Sequence, residues 1–239
     1  MSGIKETLET EPHFIAYFDI LGYENMIKAG GEEKIKSLLS IIDESVKGAM
    51  VLAYTFNEIG TNIKMKVFSD NFFFCTKDDP YILVILISLI QTSLAMNDIF
   101  IRGALCYGNI YFDDHYVFGK GIIDAHFLES NIALFPRIIL DNTIIKAISP
   151  EAGFEIISDY IYEDFDGNKY ISYLNNKNDK EKMLNDSEMS FDDILSTHKK
   201  LIQKNLSSED KSVLQKYQWC KRYHNKFCKK NDFNKFVIE

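Results

Sequence analysis

The chain has 239 residues, of which 46% are hydrophobic and 26% charged. That is enough for one sizeable core and too apolar for a disordered polymer. The net charge of −8 argues against wrapping nucleic acid, which calls for a basic surface, but leaves open a nucleotide enzyme whose bound metal meets the phosphates.

In chain order, His13 to Asp19 (HFIAYFD) reads as a central strand buried on both faces and ending in an acid. Gly22 turns the chain into a helix near Tyr23 to Ala29, which Gly30-Gly31 should break. Ile35, Leu38, Leu39, Ile42 and Val46 recur at helical spacing within Glu32 to Leu52. Ile63 to Phe68 alternates with period two. Asn71 to Thr76 returns after a Ser-Asp turn, which makes a hairpin. Asp78-Asp79-Pro80 starts a helix that runs to about Met96.

Ile99 to Phe112 is strand-rich. Asp113 to His115 turns it into a short return at Tyr116 to Phe118, and Gly119 and Gly121 lead into a helix over Ile123 to Ala133. Pro136 to Leu140 is a strand, Asn142 to Ile148 a short helix, and Phe154 to Leu174 a hairpin turning at Asp166-Gly167-Asn168. After Asn175 the composition shifts to Asn, Lys and Asp, which marks a linker. From Ser190 onward a polar helical pattern takes over.

The expected fold is therefore α+β: a ferredoxin-like palm with helices on one face of a mostly antiparallel sheet, over residues 1–175. A linker and helical C-terminal appendage follow over 176–239. The polar N-terminus and the short apolar runs predict no signal peptide and no membrane span, hence a cytoplasmic protein. Four cysteines without a CxxC pair fit reduced, buried thiols.

Asp19 ends a strand and opens a turn into a helix, and Asp70 sits in the hairpin turn. In a palm those strands are neighbours, so both carboxylates reach one corner of the sheet. Two close carboxylates repel unless a cation lies between them, and a hard divalent ion with substrate phosphates in its shell answers that need. The amides of Leu21 to Tyr23, at a helix start, suit phosphates. Either aspartate alone is better explained as a turn or cap residue, and it is the pair, each in its own strand-turn pattern, that points to metal.

Phe18-Asp19-Ile20-Leu21-Gly22-Tyr23 resembles the F-x-D-I-x-G-F/Y signature of class III nucleotidyl cyclases. Lys66-Val67-Phe68-Ser69-Asp70 resembles their K-x-x-G-D hairpin, with Ser69 in place of glycine. Ile101-Arg102-Gly103 through Gly108 resembles the L-R-x-G-x-x-x-G strand. Tyr116 to Gly119, with Ala125, resembles the D-x-x-G…N-x-A-x-R segment. These motifs span about residues 14 to 130.

The resemblance implies Mg²⁺ or Mn²⁺ in a two-metal site held by Asp19, the Ile20 carbonyl and Asp70. It implies a nucleoside triphosphate contacted by Ile20, Leu21, Gly22, Tyr23, Lys66 and Tyr116. It also implies a homodimer whose 3′,5′-cyclic product acts on a cyclic-nucleotide-responsive effector, as in bacterial antiphage signalling; the charge and the short apolar runs predict no nucleic-acid and no membrane partner.

The departures are specific. Ile123 stands where the family has its catalytic asparagine and Phe127 where it has the arginine that steadies the transition state; Tyr116 replaces the acid that reads adenine. Arg102 and Arg137 are the candidates to supply the missing cation, and a pyrimidine triphosphate becomes a substrate to test. The alternative is a nucleotide-binding sensor without turnover. A palm enzyme joining two nucleotides fits less well, because Phe68-Ser69-Asp70-Asn71 matches poorly the G-G-D/E-E/D-F hairpin of diguanylate cyclases.

A second resemblance, to bacterial proteins carrying an L-E…P-R-I run, falls on Leu128-Glu129 and Pro136-Arg137-Ile138. Cys220, His224 and Cys228 share one helix face at spacing four, where packing outweighs zinc as the explanation. His115 and His126 could move protons near neutral pH but sit in a turn and on a helix.

Overall fold

The computed structural model describes residues 9–56, 62–78, 80–148, 157–175 and 190–239. The first strand, β1 (Glu11–Ile20), is central. It is followed by α1 (Tyr23–Phe56), β2 (Lys64–Phe68), β3 (Asn71–Thr76), α2 (Pro80–Met96) and β4 (Ile101–Phe112). Then come β5 (Val117–Phe118), α3 (Lys120–Asn131), β6 (Ile138–Leu140), α4 (Asn142–Ile148), β7 (Ile161–Glu163) and β8 (Lys169–Ile171). Helices α5 (Phe191–Asn205) and α6 (Lys211–Lys230) complete the fold.

The strand order is β2-β3-β1-β4-β6-β8-β7, with β5 on β4. Within β1 to β4 every pairing is antiparallel. A β-α-β-β-α-β chain in that order is the ferredoxin-like palm. The expected break at Gly30-Gly31 is a kink inside α1, where Gly31 takes φ 61°; the helix then resumes, because the apolar spacing beyond it still has a core to face.

The residues of β1 sort by alternation. Phe14, Ala16, Phe18 and Ile20 face a core built with α1, α2 and α4. Ile15 and Tyr17 face the opposite side, toward Phe73, Cys106 and Ala125 of α3. The palm plan holds, but helical cover extends to both faces rather than one. The reason lies in strands such as Ile138–Leu140, buried at all three positions, which leave no face for water.

Two close approaches fix the arrangement. A side chain at Gly103 would put its Cβ 2.1 Å from the Tyr17 carbonyl oxygen. One at Gly108 would come within 2.9 Å of the Gly121 Cα. Glycine at these positions lets β4 lie tight on β1 and lets the first turn of α3 seat on β4.

The C-terminal helices share a buried cluster with the sheet. Trp219, Tyr223 and Phe227 of α6 pack with Ile139, Tyr170 and Tyr173, and Phe191 and Leu195 of α5 join them. Ser190 caps α5 through a capping box with Asp193, and Asp210 caps α6. No helix among the described residues is long and apolar enough to cross a membrane.

Candidate functional site

The register of β1 brings Asp19 opposite Asn71 of β3 and Arg102 of β4. All three therefore point to the face that α3 covers. The Ile20 amide donates to the Asp70 carbonyl at 3.3 Å, which ties the hairpin turn to the end of β1. Ser69 makes that turn in the left-handed region, with φ 57°, where the resembling motif has glycine. Asn71 then aims the acid: its amide donates to Asp70 Oδ1 at 3.3 Å and accepts from the Tyr17 hydroxyl at 2.7 Å.

Asp19 is held by Arg102. The guanidinium Nε lies 3.0 Å from Oδ1 and 3.3 Å from Oδ2, and Nη2 lies 3.1 Å from Oδ2. Across from it, Nη2 is 2.9 Å from Oε1 of Glu129, which descends from α3 and is only 3% exposed. The other Glu129 oxygen accepts from the Ser130 hydroxyl at 2.7 Å and lies 3.4 Å from His126 Nδ1.

Two carboxylates thus flank one guanidinium, and the charge of Asp70 reaches it as well. Burial raises the Asp19 pKa, Arg102 pulls it back down, and the negative charge of Glu129 pushes it up again. The Tyr17 hydroxyl is raised by burial and then by Glu129, Asp19 and Asp70, so all three acids act on one point.

The turn amides are partly committed. Leu21 donates to the Phe100 carbonyl at 2.8 Å, whereas Gly22 and Tyr23 open α1, where the first amides have no partner within the helix. The Phe100 ring meets Tyr217 of α6 edge-on, with centroids 5.4 Å apart. This packing carries Lys216 toward the site. Its ammonium pKa is lowered by burial and by Arg102, and Asp19 and Asp210 pull it the other way. Among the described residues Lys216 forms no salt bridge.

Other expected site residues are more scattered. Lys66 faces the side of Phe73 and Tyr17 through its register. Its ammonium lies 5.3 Å from the Phe112 ring centre, in a shallow cleft that Lys64 and Asp113 also line. Tyr116 is 61% exposed beside His115. Its amide donates to Asp113, whose carboxyl the Tyr111 hydroxyl and then the Tyr116 and His115 amides hold down at about 2.

Arg137 does not join the group. It is fully buried and bridges Asp164 and Asp166 of the β7–β8 hairpin, with Trp219 also donating to Asp164. The β4–β6 register sets it on the same face as Arg102 but one strand farther from Asp19, and Asp164 and Asp166 there claim its guanidinium, which makes it a packing residue. Ile123 and Phe127 lie on the outer side of α3, 68% and 58% exposed.

Near the C-terminus, the described residues place no metal-like set around His224. It bonds the Phe236 carbonyl and His198, with the Cys228 sulfur at 3.5 Å, while Cys220 is buried in packing. The expected cap at Asp79 and the linker beyond Asn175 fall outside the described residues.

Sequence reasoning did not bring out Tyr17, Asn71 or Lys216 as members of this site, and Glu129 entered it only as part of an L-E run. Strand alternation from Asp19 back to Tyr17 could have found the first. The others depend on pairing register and on helix placement.

Among the described residues no three His, Cys, Asp or Glu side chains converge to hold a metal alone. The donor set nonetheless fits Mg²⁺ or Mn²⁺. It consists of hard oxygens, the carboxylates of Asp19 and Asp70, in a corner with an excess of acid over base, where even the buried Glu129 Oε1 lacks a hydrogen-bond partner. Ions of this kind commonly take one or two carboxylates and complete their shell from water and phosphate.

No family model matches the chain, and no curated protein does. Solved structures resemble its fold. The catalytic core of a rhodopsin-guanylyl cyclase with converted specificity, in complex with ATPalphaS, is 13% identical with a TM-score of 0.44, over 68% of this chain and 96% of that one. A bacterial light-regulated adenylyl cyclase is 12% identical with a TM-score of 0.48, over 81% and 59%. A class III adenylyl cyclase-like ATP-binding protein from Pseudomonas aeruginosa is 14% identical with a TM-score of 0.41, over 85% and 48%. The strand order itself defines the fold as a ferredoxin-like palm.

Proposed function

We propose that the chain binds a nucleoside triphosphate with Mg²⁺ or Mn²⁺ at Asp19 and Asp70 and converts it to a 3′,5′-cyclic nucleotide. The observation that carries this is the register. Asp19, Asp70 and Arg102 meet at one corner of the sheet, beside the free first turn of α1. A divalent ion there would lower the pKa of the ribose 3′-hydroxyl and neutralise phosphate charge.

The chain's own residues would do the rest. Asp19, Asp70 and the Ile20 carbonyl would hold the metals. The Gly22 and Tyr23 amides and Lys216 would meet phosphate oxygens, and Lys66 would face the base. The 3′-oxygen forms a bond to the α-phosphorus as the bond to the bridging oxygen breaks. Pyrophosphate leaves, and the hydroxyl proton passes to solvent. A pyrimidine base and an antiphage role are part of this proposal through the motif resemblance alone.

A second copy is part of the same proposal. Phe68 on the hairpin is 83% exposed, and Ile123 and Phe127 on α3 are also open. Apolar surface of this kind favours a covering partner.

One observation favours a binding module without turnover. The two α3 positions where the resembling family carries asparagine and arginine hold Ile123 and Phe127, and Arg102 is committed to Asp19. Incubating the protein with ATP, GTP, CTP and UTP separately, plus Mn²⁺, tests both versions by mass spectrometry. A cyclic monophosphate from one of them supports the enzyme. Tight binding without product supports the sensor.

A further inference from the structure

The guanidinium of Arg102 is shared unequally. Its fork lies along Asp19, with three contacts between 3.0 and 3.3 Å. Toward Glu129 it offers only Nη2, 2.9 Å from Oε1. That contact is close but out of line, because Oε1 has no hydrogen-bond partner and is buried. A buried carboxylate oxygen left without a directed donor is costly.

The charges around the pair say the same. Asp19, Asp70 and Glu129 are all felt by Arg102, so its one guanidinium is drawn toward three anions. Arg102 occupies both oxygens of the residue proposed to bind metal. A divalent ion must therefore compete with it.

We infer that Glu129 is a positioning residue that receives Arg102 when a metal ion takes Asp19. Arg102 is the resting counter-ion of Asp19, and a small rotation of its fork toward Glu129 frees that carboxylate while satisfying Oε1. The second partner keeps the guanidinium beside the site, where its remaining N–H groups face the incoming phosphates. Ser130, through its hydroxyl on Oε2, and the tight seat of α3 at Gly121 hold Glu129 in place. Glu129 would thus set how easily metal enters without touching the metal itself. The inference rests on the metal-binding reading of Asp19.

The test is Mn²⁺ binding to the full chain without nucleotide, followed by the paramagnetic signal of free Mn²⁺. Arg102→Met removes the competitor and should tighten binding about tenfold, the scale of one charge-assisted hydrogen bond. Glu129→Gln, which keeps the shape, should weaken binding by a similar factor, because Arg102 then has only Asp19. In the double variant the Glu129→Gln effect should vanish. If Glu129→Gln weakens Mn²⁺ equally with and without Arg102, its charge acts directly and the inference is overturned.

A measurement on the unaltered protein guards against misfolded variants. The Arg102 Nε–H should exchange faster with solvent once Mg²⁺ is added, and unchanged protection would also overturn the inference. If the unaltered chain and Arg102→Met both bind no Mn²⁺, with or without triphosphate, the reading of Asp19 itself falls, and this inference falls with it.

Discussion

Arg137→Met tests the division between site and scaffold. The guanidinium is fully buried and neutralises Asp164 and Asp166, and it also lies 5.3 Å from the Phe135 ring. Methionine fills similar volume but leaves two carboxylates facing each other beside Trp219. Breaking a buried pair by removing one partner costs roughly 3–5 kcal/mol. For a chain of this size that lowers Tm by about 6–20 °C. Thermal and urea unfolding followed by circular dichroism would measure it. Arg137→Met with Asp164→Asn and Asp166→Asn should recover most of the loss, since no charge is then stranded. A loss below about 1 kcal/mol, or nucleotide binding abolished at unchanged stability, would refute the structural assignment and return Arg137 to the active site.

Further outcomes follow from other parts of the molecule. Ser69→Gly should stabilise the fold by about 1 kcal/mol, because glycine takes a φ of 57° at little cost; equilibrium unfolding would show it as a raised midpoint. Burial holds His198 and His224 neutral, below the ordinary 6.5, and His13 is lowered in the same way. The unfolded chain therefore takes up protons first as pH falls below about 6.5, and stability should drop by up to about 1.4 kcal/mol per pH unit per histidine. Urea titrations at pH 7.5, 6.5 and 5.5 would test this, and His198→Gln should flatten the slope. Lys216→Met should weaken triphosphate binding several-fold while sparing the nucleoside, as read by calorimetry; equal losses for both ligands would remove Lys216 from the phosphate site.

Much of this fold was legible because its signals are local. The apolar run ending at Asp19, the alternation of Ile63 to Phe68 and the glycines around α3 each mark one element. Asp19 and Asp70 could be joined from sequence because a palm makes their strands neighbours. Glu129 could not, since only the depth at which α3 seats on β4 brings its side chain over Arg102. Arg137 misled for the opposite reason: it shares the face of Arg102, but the sequence around it does not say that Asp164 and Asp166 will claim its guanidinium. Lys216 lies 197 residues from Asp19 along the chain, and only the packing of Tyr217 on Phe100 reveals it. The L-E…P-R-I run takes on physical meaning in the structure. Its glutamate faces the site, and its arginine holds the β7–β8 turn through Asp164 and Asp166, with Trp219 of α6 on the same Asp164.

The most direct test of the central claim is triphosphate binding in the presence of Mn²⁺, measured by calorimetry on the unaltered chain and on Asp70→Ala. The account predicts binding that needs the metal and is lost in the variant, whether or not a cyclic product forms. Binding that persists in Asp70→Ala, or no binding by the unaltered chain, would contradict it and leave Asp19 and Asp70 as turn residues of a palm with another task.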